Sequence, residues 1–226
     1  MIKSLGVIAG IACLMTLSVS FAADVSEKDA WTSWLGKQES STTLKARWSA
    51  DQSRLQHVGG VLIPAADARS LERRVSDLAT EIRVLQGMDV AELSAVRKSG
   101  TLTRKSYRYE QQYEGLPVEG HDLVINVRGD GAVVGFQNNL KTFLKPATLV
   151  NLTPKRAHEL ALDALEQGLS PAAGAKVEPT LVVLPVFETP VRVWKVPVTA
   201  LPHGFYTIYV RADDGKVLWV RNQMIR

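Results

Sequence analysis

The sequence predicts an α+β protein of two small modules, each a helix packed on an antiparallel β-meander. A stripe of apolar residues at helical spacing is followed by segments in which apolar and polar residues alternate, and this order occurs twice. Links rich in Gly and Asp join several alternating segments, which is typical of hairpins. The predicted boundaries are 1–22 for a leader, 23–66 for a polar segment with a short helix, 67–145 for the first module and 146–226 for the second.

Composition excludes several classes of protein. The 226 residues are 46% hydrophobic and 22% charged, which is typical of a soluble globular chain of one or two domains. Lys and Arg exceed Asp and Glu by 27 to 23, an excess too small and too scattered for a nucleic-acid-binding face. The one cysteine, Cys13, lies in the leader, so we expect no disulfide and no cysteine nucleophile in the mature chain.

The first residues resemble a secretory signal. A basic start with Lys3 precedes an apolar run over 5–21, and small residues surround Ala22. We expect cleavage after Ala22 and a secreted or periplasmic protein that begins at Ala23 without a lipid on Cys13. An uncleaved anchor is the alternative, because the run is close to the ~20 residues that span a bilayer.

Helical spacing dominates the first part of the mature chain. Trp31 and Trp34 stand three residues apart, and we expect them to anchor a short helix to the core. Asp67 is the predicted N-cap of a longer helix that ends at Gly87. Its apolar stripe consists of Leu71, Val75, Leu78, Ile82 and Leu85. Arg83 falls on the opposite, exposed face of this prediction.

Alternation with period two begins after Gly100. The segments 101–115, 121–128 and 132–140 are rich in β-branched and aromatic residues, so they are predicted strands. Gly129, Asp130 and Gly131 join the last two in a hairpin.

The second module repeats this order. Thr153 is the predicted N-cap, with Pro154 at the first helical position, and the helix is expected to continue to Gly168. Its inner face carries Ala157, Leu160, Ala161, Ala164 and Leu165. The predicted strands are 180–187, 191–198, 205–211 and 217–221, the last two joined by a turn over 213–216.

The residues of an enzyme are missing from this sequence. His158 and Glu159 open like the helix of zinc peptidases, but Leu162 stands where the second histidine of H-E-x-x-H is needed. There is no Gly-x-Ser-x-Gly elbow, phosphate-binding loop or dinucleotide fingerprint. We therefore expect no catalytic site, no metal and no cofactor.

One segment carries a family likeness. Residues 107–120, Y-R-Y-E-Q-Q-Y-E-G-L-P-V-E-G, resemble the signature of the fungalysin/thermolysin propeptide domain. Residues 122–127 and 131–134 are similar to the next hairpin of that domain. The helix from Lys155, with 193–196 and 206–218, resembles a PepSY domain. The motif positions are Arg108, Tyr109, Gln111, Tyr113, Gly115, Pro117, Val118 and Gly120.

The resemblance implies the proregion of a thermolysin-like zinc metallopeptidase. In that family the proregion guides folding of the catalytic domain and inhibits it until cleavage. Tyr107, Tyr109, Gln111 and Tyr113 share one strand face, and we expect the tyrosines to pack on the sheet rather than to contact a partner. Gly115, Pro117 and Gly120 are expected to form a turn between two strands.

Three functions remain open from the sequence. The first is a secreted, non-catalytic protein that binds, inhibits or helps to fold a thermolysin-like protease, without nucleic acid or stable membrane association. The second is the N-terminal part of a metalloendopeptidase precursor, and the third is a PepSY-type periplasmic binding protein. For the first, the predicted partner-binding residues are the C-terminal Val220, Arg221, Asn222, Gln223, Met224, Ile225 and Arg226.

Overall fold

The three-dimensional structure is a computed structural model. The predicted leader with Cys13 lies outside the residues that the structure describes. The described residues are 27–38, 44–52, 54–88, 93–142, 145–146, 149–165, 170–171, 178–185, 189–201 and 204–223.

The described residues form three helices and eleven strands. The helices are α1 (Glu27–Gln38), α2 (Leu71–Leu85) and α3 (Pro154–Asp163). The strands are β1 (Lys45–Trp48), β2 (Leu55–Ile63), β3 (Leu93–Gly100), β4 (Arg104–Tyr113), β5 (Leu116–Arg128), β6 (Val133–Asn138), β7 (Ser170–Pro171), β8 (Thr180–Leu184), β9 (Val191–Leu201), β10 (Gly204–Arg211) and β11 (Val217–Asn222). None of these helices has the length and apolar character needed to cross a membrane.

All eleven strands belong to one sheet. Its main path runs β1-β2-β6-β5-β8-β9-β10-β11, while β3 and β4 extend from β5, and β7 pairs with β9. Among the described strands, β5 and β8 form the one parallel pair, and the other pairs are antiparallel. The α+β class is therefore confirmed, with few helices on a mostly antiparallel sheet. The finer division into two helix-on-meander modules stays a prediction, because β5 and β8 connect both parts of the sheet.

The N-terminal region, α1, α2 and β1–β6, has a core built on large aromatic side chains. Trp31 is 0% exposed and Trp34 is 4% exposed. Their ring centroids lie 5.8 Å apart, and each is about as close to the ring of Phe136. Val75 and Ile82 of α2 are also fully buried in this core. The two tryptophans anchor α1 to the core, as the sequence predicted.

The ends and faces of α2 differ from the prediction at two positions. Ser70, not Asp67, caps the helix, because its side chain accepts a hydrogen bond from the backbone N–H of Arg73. Asp67 instead accepts from the backbone N–H of Arg69 in a turn before the helix. The predicted exposure of Arg83 is wrong as well. This side chain is 7% exposed because its long stem folds inward and its guanidinium donates to the carbonyl of Met88 at 3.0 Å.

Four strands were missed by the sequence analysis, namely β1, β2, β3 and the two-residue β7. In β2 the buried residues are Leu55, Val58 and Leu62, whose spacings of three and four do not follow period two. The register between β2 and β6 shifts after Gly59, so that the inward face changes along the strand. Strand β3 lies at an edge of the sheet, and its sequence, LSAVRKSG, does not alternate between apolar and polar residues.

The C-terminal region, α3 and β7–β11, has a core of smaller side chains under one helix. Ala157 and Ala161 of α3 are fully buried against β9 and β10, where Trp194 and Ile208 belong to the same core. Thr153 caps α3 as predicted, accepting from the backbone N–H of Arg156 at 3.2 Å. The helix ends at Asp163, five residues before the predicted end at Gly168, which lies outside the described residues.

Candidate functional site

The propeptide-like motif, residues 107–120, contains a tight hairpin between β4 and β5. Tyr113 pairs with Leu116, so the loop contains only Glu114 and Gly115. Both have positive φ angles, 49° and 79°. A two-residue hairpin with two positive φ angles is the type I′ turn, whose twist matches that of the flanking strands. Gly115 is therefore required by the backbone of this turn.

The second half of the motif is a bulge of several residues inside β5. In the ladder with β4, Glu110 pairs with Asp122 and Gln112 pairs with Pro117, so residues 118–121 lie opposite Gln111 alone. Gly120 has a φ of 75° in this bulge. The expectation of one strand-to-strand turn over Gly115, Pro117 and Gly120 is thus wrong, because Pro117 and Gly120 lie within β5.

This bulge joins the two regions of the molecule. Val118, 1% exposed, forms the parallel pair with Val183 of β8. Next to it, the carboxylate of Glu119 accepts a hydrogen bond from the hydroxyl of Tyr209 at 2.8 Å and contacts Nζ of Lys195 at 2.9 Å. We call Glu119, Lys195 and Tyr209 the clasp.

The clasp changes the electrostatics of Tyr209. Burial and the hydrogen bond to the carboxylate of Glu119 raise the pKa of the Tyr209 hydroxyl well above its usual range. A second ion pair joins the same two regions: the guanidinium of Arg192 on β9 lies 2.6 Å from the carboxylate of Glu114 in the β4–β5 turn. Sequence reasoning missed these partners, because Lys195 and Tyr209 lie 76 and 90 residues from Glu119.

The other motif side chains also act within the chain. Gln111 is 2% exposed and its amide bonds both backbone groups of Lys141, at 2.7 and 3.0 Å. Arg108 forms an ion pair with Asp122 at 2.7 Å. Tyr109 is half-buried against the N-terminal core, and burial raises the pKa of its hydroxyl. These three side chains thus make contacts within the protein.

The structure describes four of the seven predicted partner-binding residues. Val220, Arg221 and Asn222 lie on β11, and Gln223 follows with a backbone hydrogen bond to Phe205 at 2.6 Å. The others, Met224, Ile225 and Arg226, lie outside the described residues.

Strand β11 exposes apolar side chains at the end of the sheet. Trp219 is 38% exposed and Val220 is 45% exposed. The guanidinium of Arg221 lies 5.7 Å from the centre of the Trp219 ring, a cation–π distance. Phe205 of the neighbouring β10 is 62% exposed. This end of the sheet thus combines aromatic surface with a cation, the residue types enriched at protein interfaces.

A polar cleft of about 470 Å³ lies where the two regions meet. Its lining includes Glu27, Arg54, His121, Lys141 and Pro185. Burial raises the pKa of Glu27 above 4.5. Burial also lowers the pKa of His121 below 6.5, and the nearby charges of Arg54 and Lys141 lower it further. The cleft therefore holds charges of both signs and favours no single class of ligand.

The histidines are distributed over separate elements. His57 lies on β2, His121 on β5 and His158 on α3, while His203 is outside the described range. Within the part of the chain that the structure covers, no three His, Cys, Asp or Glu side chains are grouped closely enough to hold a metal ion.

Comparisons with known proteins bear directly on the motif. Residues 93–140 match the Fungalysin/Thermolysin Propeptide Motif, a range that starts with β3 and ends just after β6. Curated thermolysins of Alicyclobacillus acidocaldarius and Bacillus caldolyticus are each 30% identical over 206 residues, which cover 86% of this chain. The chain spans 37% of the length of these relatives.

A solved structure, the Bacillus megaterium YpeB C-terminal domain, aligns with 90% of this chain and 98% of its own length. Its sequence identity is 14% and its TM-score is 0.39. At that TM-score the likeness carries no argument about fold or function. The family match over β3–β6 and the similarity to thermolysins are the informative comparisons. Together they confirm that this chain resembles the proregions of thermolysin-like zinc metallopeptidases.

Proposed function

We propose that the mature protein is an exported, non-catalytic partner of a thermolysin-like zinc metallopeptidase, which it binds and either inhibits or helps to fold. The observation that carries this proposal is the propeptide motif, which coincides with the four consecutive strands β3–β6. The 226-residue sequence contains no H-E-x-x-H, so the chain itself would supply binding surface rather than chemistry.

The C-terminal end of the sheet is the surface that we propose for this contact. The motif side chains are engaged inside the protein, whereas Trp219, Val220 and Phe205 remain exposed. Residues 220–226 would then lie at or near the catalytic cleft, and the rest of the sheet would supply most of the contact area. A specific complex buries about 1,600 Å², which is far more than one strand can supply.

The length of the relatives favours a second form of the same proposal. Because the chain spans 37% of the curated thermolysins, it would also suit the proregion of a longer precursor that acts on a catalytic domain in the same polypeptide. The PepSY-type alternative instead assigns the C-terminal region to another exported or membrane partner. It predicts no effect on any thermolysin-like peptidase.

Titration of a peptidase distinguishes these proposals. The chain from Ala23 is added to thermolysin and to the zinc peptidases purified from the medium of the source organism, and peptide hydrolysis is measured. Refolding yields of the same denatured enzymes separate folding assistance from inhibition. An effect in either assay supports the proposal, and no effect in both, with no complex in size-exclusion chromatography, rejects it.

A shortened chain isolates the role of the C-terminal residues. A form that ends at Gln223 keeps the whole of β11 and its backbone bond to Phe205. A form that ends at Trp219 would remove half of the strand, so it is a poorer probe. Weaker inhibition by the form ending at Gln223 assigns a role to residues 224–226. Equal inhibition by the full-length chain and by the form ending at Gln223 would mean that the sheet binds the peptidase without residues 224–226.

A further inference from the structure

The free edges of the sheet differ in how they are protected. Among the described strands of four or more residues, β1, β3 and β11 each pair on one side only. Exposed cations occupy two of these edges, with Lys45 and Arg47 on β1 and Arg97 and Lys98 on β3. Such charges protect an edge against pairing with another strand. Strand β11 has one exposed cation, Arg221, which follows four apolar residues in succession, Val217, Leu218, Trp219 and Val220.

The register of β11 shows which backbone groups point toward its free edge. The N–H of Gln223 donates to the carbonyl of Phe205, so these two form a hydrogen-bonded pair. Such pairs alternate along an antiparallel ladder, which makes Thr207 and Arg221 the next one. Val220 lies between this pair and the following one, Tyr209 and Trp219, and so stands opposite Ile208 in a pair without hydrogen bonds. Its N–H and C=O therefore point away from β10, toward the free edge.

We propose that the free edge of β11 binds β11 of a second copy of this chain, antiparallel, with the two-fold axis at Val220. Each Val220 then pairs with its equivalent and uses both outward backbone groups. Trp219 of each copy lies opposite Arg221 of the other. This inference goes beyond the protease partnership and does not depend on it. Because Trp219 and Val220 also belong to the surface proposed for the peptidase, the dimer would have to separate before the peptidase binds there.

The side chains of β11 are complementary to themselves in this register. Trp219 and Arg221 stand two residues apart and so share one face of the strand. Within one chain the guanidinium of Arg221 lies 5.7 Å from the centre of the Trp219 ring, a distance at which a cation and an aromatic ring attract each other. Across the two-fold axis the contact is made twice, as in any isologous interface. Val220, β-branched and 45% exposed, supplies a central apolar pair.

Cross-linking is the sharpest test, because the mature chain contains no cysteine. Directly opposite residues in a hydrogen-bonded pair have Cα atoms about 5.5 Å apart, which suits a disulfide. The variant Val220→Cys, made in the chain from Ala23, is therefore expected to form a disulfide-linked dimer on mild oxidation. Val84→Cys is the matched control, since Val84 is 62% exposed and lies on α2, far from β11 in sequence. It is expected to stay monomeric in the same oxidant.

Sedimentation equilibrium tests the unlinked proteins. The unsubstituted chain is expected to be a reversible dimer. Val220→Thr keeps the N–H and the β-branch and should dimerise equally well. Val220→Pro removes the outward donor, and Val220→Lys places two cations opposite each other. Both are expected to raise the dissociation constant at least about tenfold. Circular dichroism and thermal unfolding show that each variant is folded.

Three results would overturn this inference. The first is a monomer at the highest soluble concentration. The second is a dimer unaffected by both Val220→Pro and Val220→Lys, or equal cross-linking of the Val220→Cys and Val84→Cys variants. The third is a set of folded variants that lose peptidase binding while the oligomeric state stays unchanged, which would assign the edge to the peptidase instead.

Discussion

The N-terminal and C-terminal regions cover their parts of one sheet in different ways. In the first, two helices and the buried rings of Trp31, Trp34 and Phe136 form a thick core. In the second, one helix lies on the sheet through Ala157 and Ala161. The apolar surface left exposed at the β10–β11 end of the C-terminal region is what a partner can cover. The comparison separates a region with a thick aromatic core from one with a thinner core and exposed apolar side chains on its last two strands.

The strongest test of this comparison is a cavity in the thick core. Ile82→Ala should lower the free energy of unfolding by about 2 to 5 kcal/mol, because Ile82 is fully buried and a protein core relaxes only partially around such a cavity. Val84→Ala, on the exposed side of the same helix, should change it by less than about 0.5 kcal/mol. Urea unfolding measures both. Equal losses would show that α2 is not the helix that fixes this core.

Next in size is the clasp that connects the two regions. Glu119→Ala removes the acceptor of Tyr209 and the partner of Lys195, and should cost about 1 to 3 kcal/mol. Glu114→Ala removes an exposed ion pair with Arg192 and should cost less than about 1 kcal/mol. The two variants are compared by thermal unfolding. A smaller loss for Glu119→Ala would mean that the parallel strand pair alone holds the regions together.

The helix caps should be alike in the two regions even though the cores differ. Ser70→Ala and Thr153→Ala each remove a side-chain acceptor at the start of α2 or α3. Each should lower the free energy of unfolding by about 1 kcal/mol. Asp67→Ala, three residues before Ser70, should have a smaller effect than Ser70→Ala, since Asp67 does not cap the helix. A larger loss of unfolding free energy for Asp67→Ala than for Ser70→Ala would show that Asp67 is the N-cap of α2.

The smallest expected effect is a pH dependence at the junction of the regions. Because the pKa of His121 is lowered in the folded state, the unfolded chain takes up a proton first as the pH falls below 6.5. The stability that neutral His121 contributes is therefore present above pH 6.5 and is lost as the pH falls through the lower, folded pKa. Groups facing His121 include Arg54, Lys141 and Asp122.

The variant His121→Gln measures this contribution. It should lose less stability than the unsubstituted chain between pH 6.5 and the lower, folded pKa of His121, because glutamine does not titrate. Urea midpoints across that interval give the difference. If the urea midpoints of the two proteins change with pH in parallel, His121 has the same pKa in the folded and the unfolded chain.

Local patterns were predictable where one face of an element meets one core. The stripe on α2, the cap of α3 at Thr153 and the β5–β6 hairpin follow from spacing and from turn residues. Strand β2 was not predictable in this way, because its register shift replaces alternation with spacings of three and four. Arg83 was misjudged because helical spacing ignores how far a long side chain can fold back.

The candidate sites show the same limit. Residues 107–120 predicted the propeptide likeness, since the turn glycines and the strand residues are contiguous in sequence. The partners of Glu119 could not be predicted, because an ion pair across 76 residues leaves no local pattern. The exposure of Val220 also depends on which strand ends the sheet.

The sequence alone thus determined the α+β class, the positions of the helices and the family likeness. These depend on periodicity, caps and short contiguous motifs, which express local backbone preferences. Tertiary structure decided that the bulge at Val118 pairs with Val183, that the clasp connects the two regions and that β11 is an edge strand among the described strands. Such features arise from contacts between distant segments, whose formation depends on the whole sheet rather than on any local pattern.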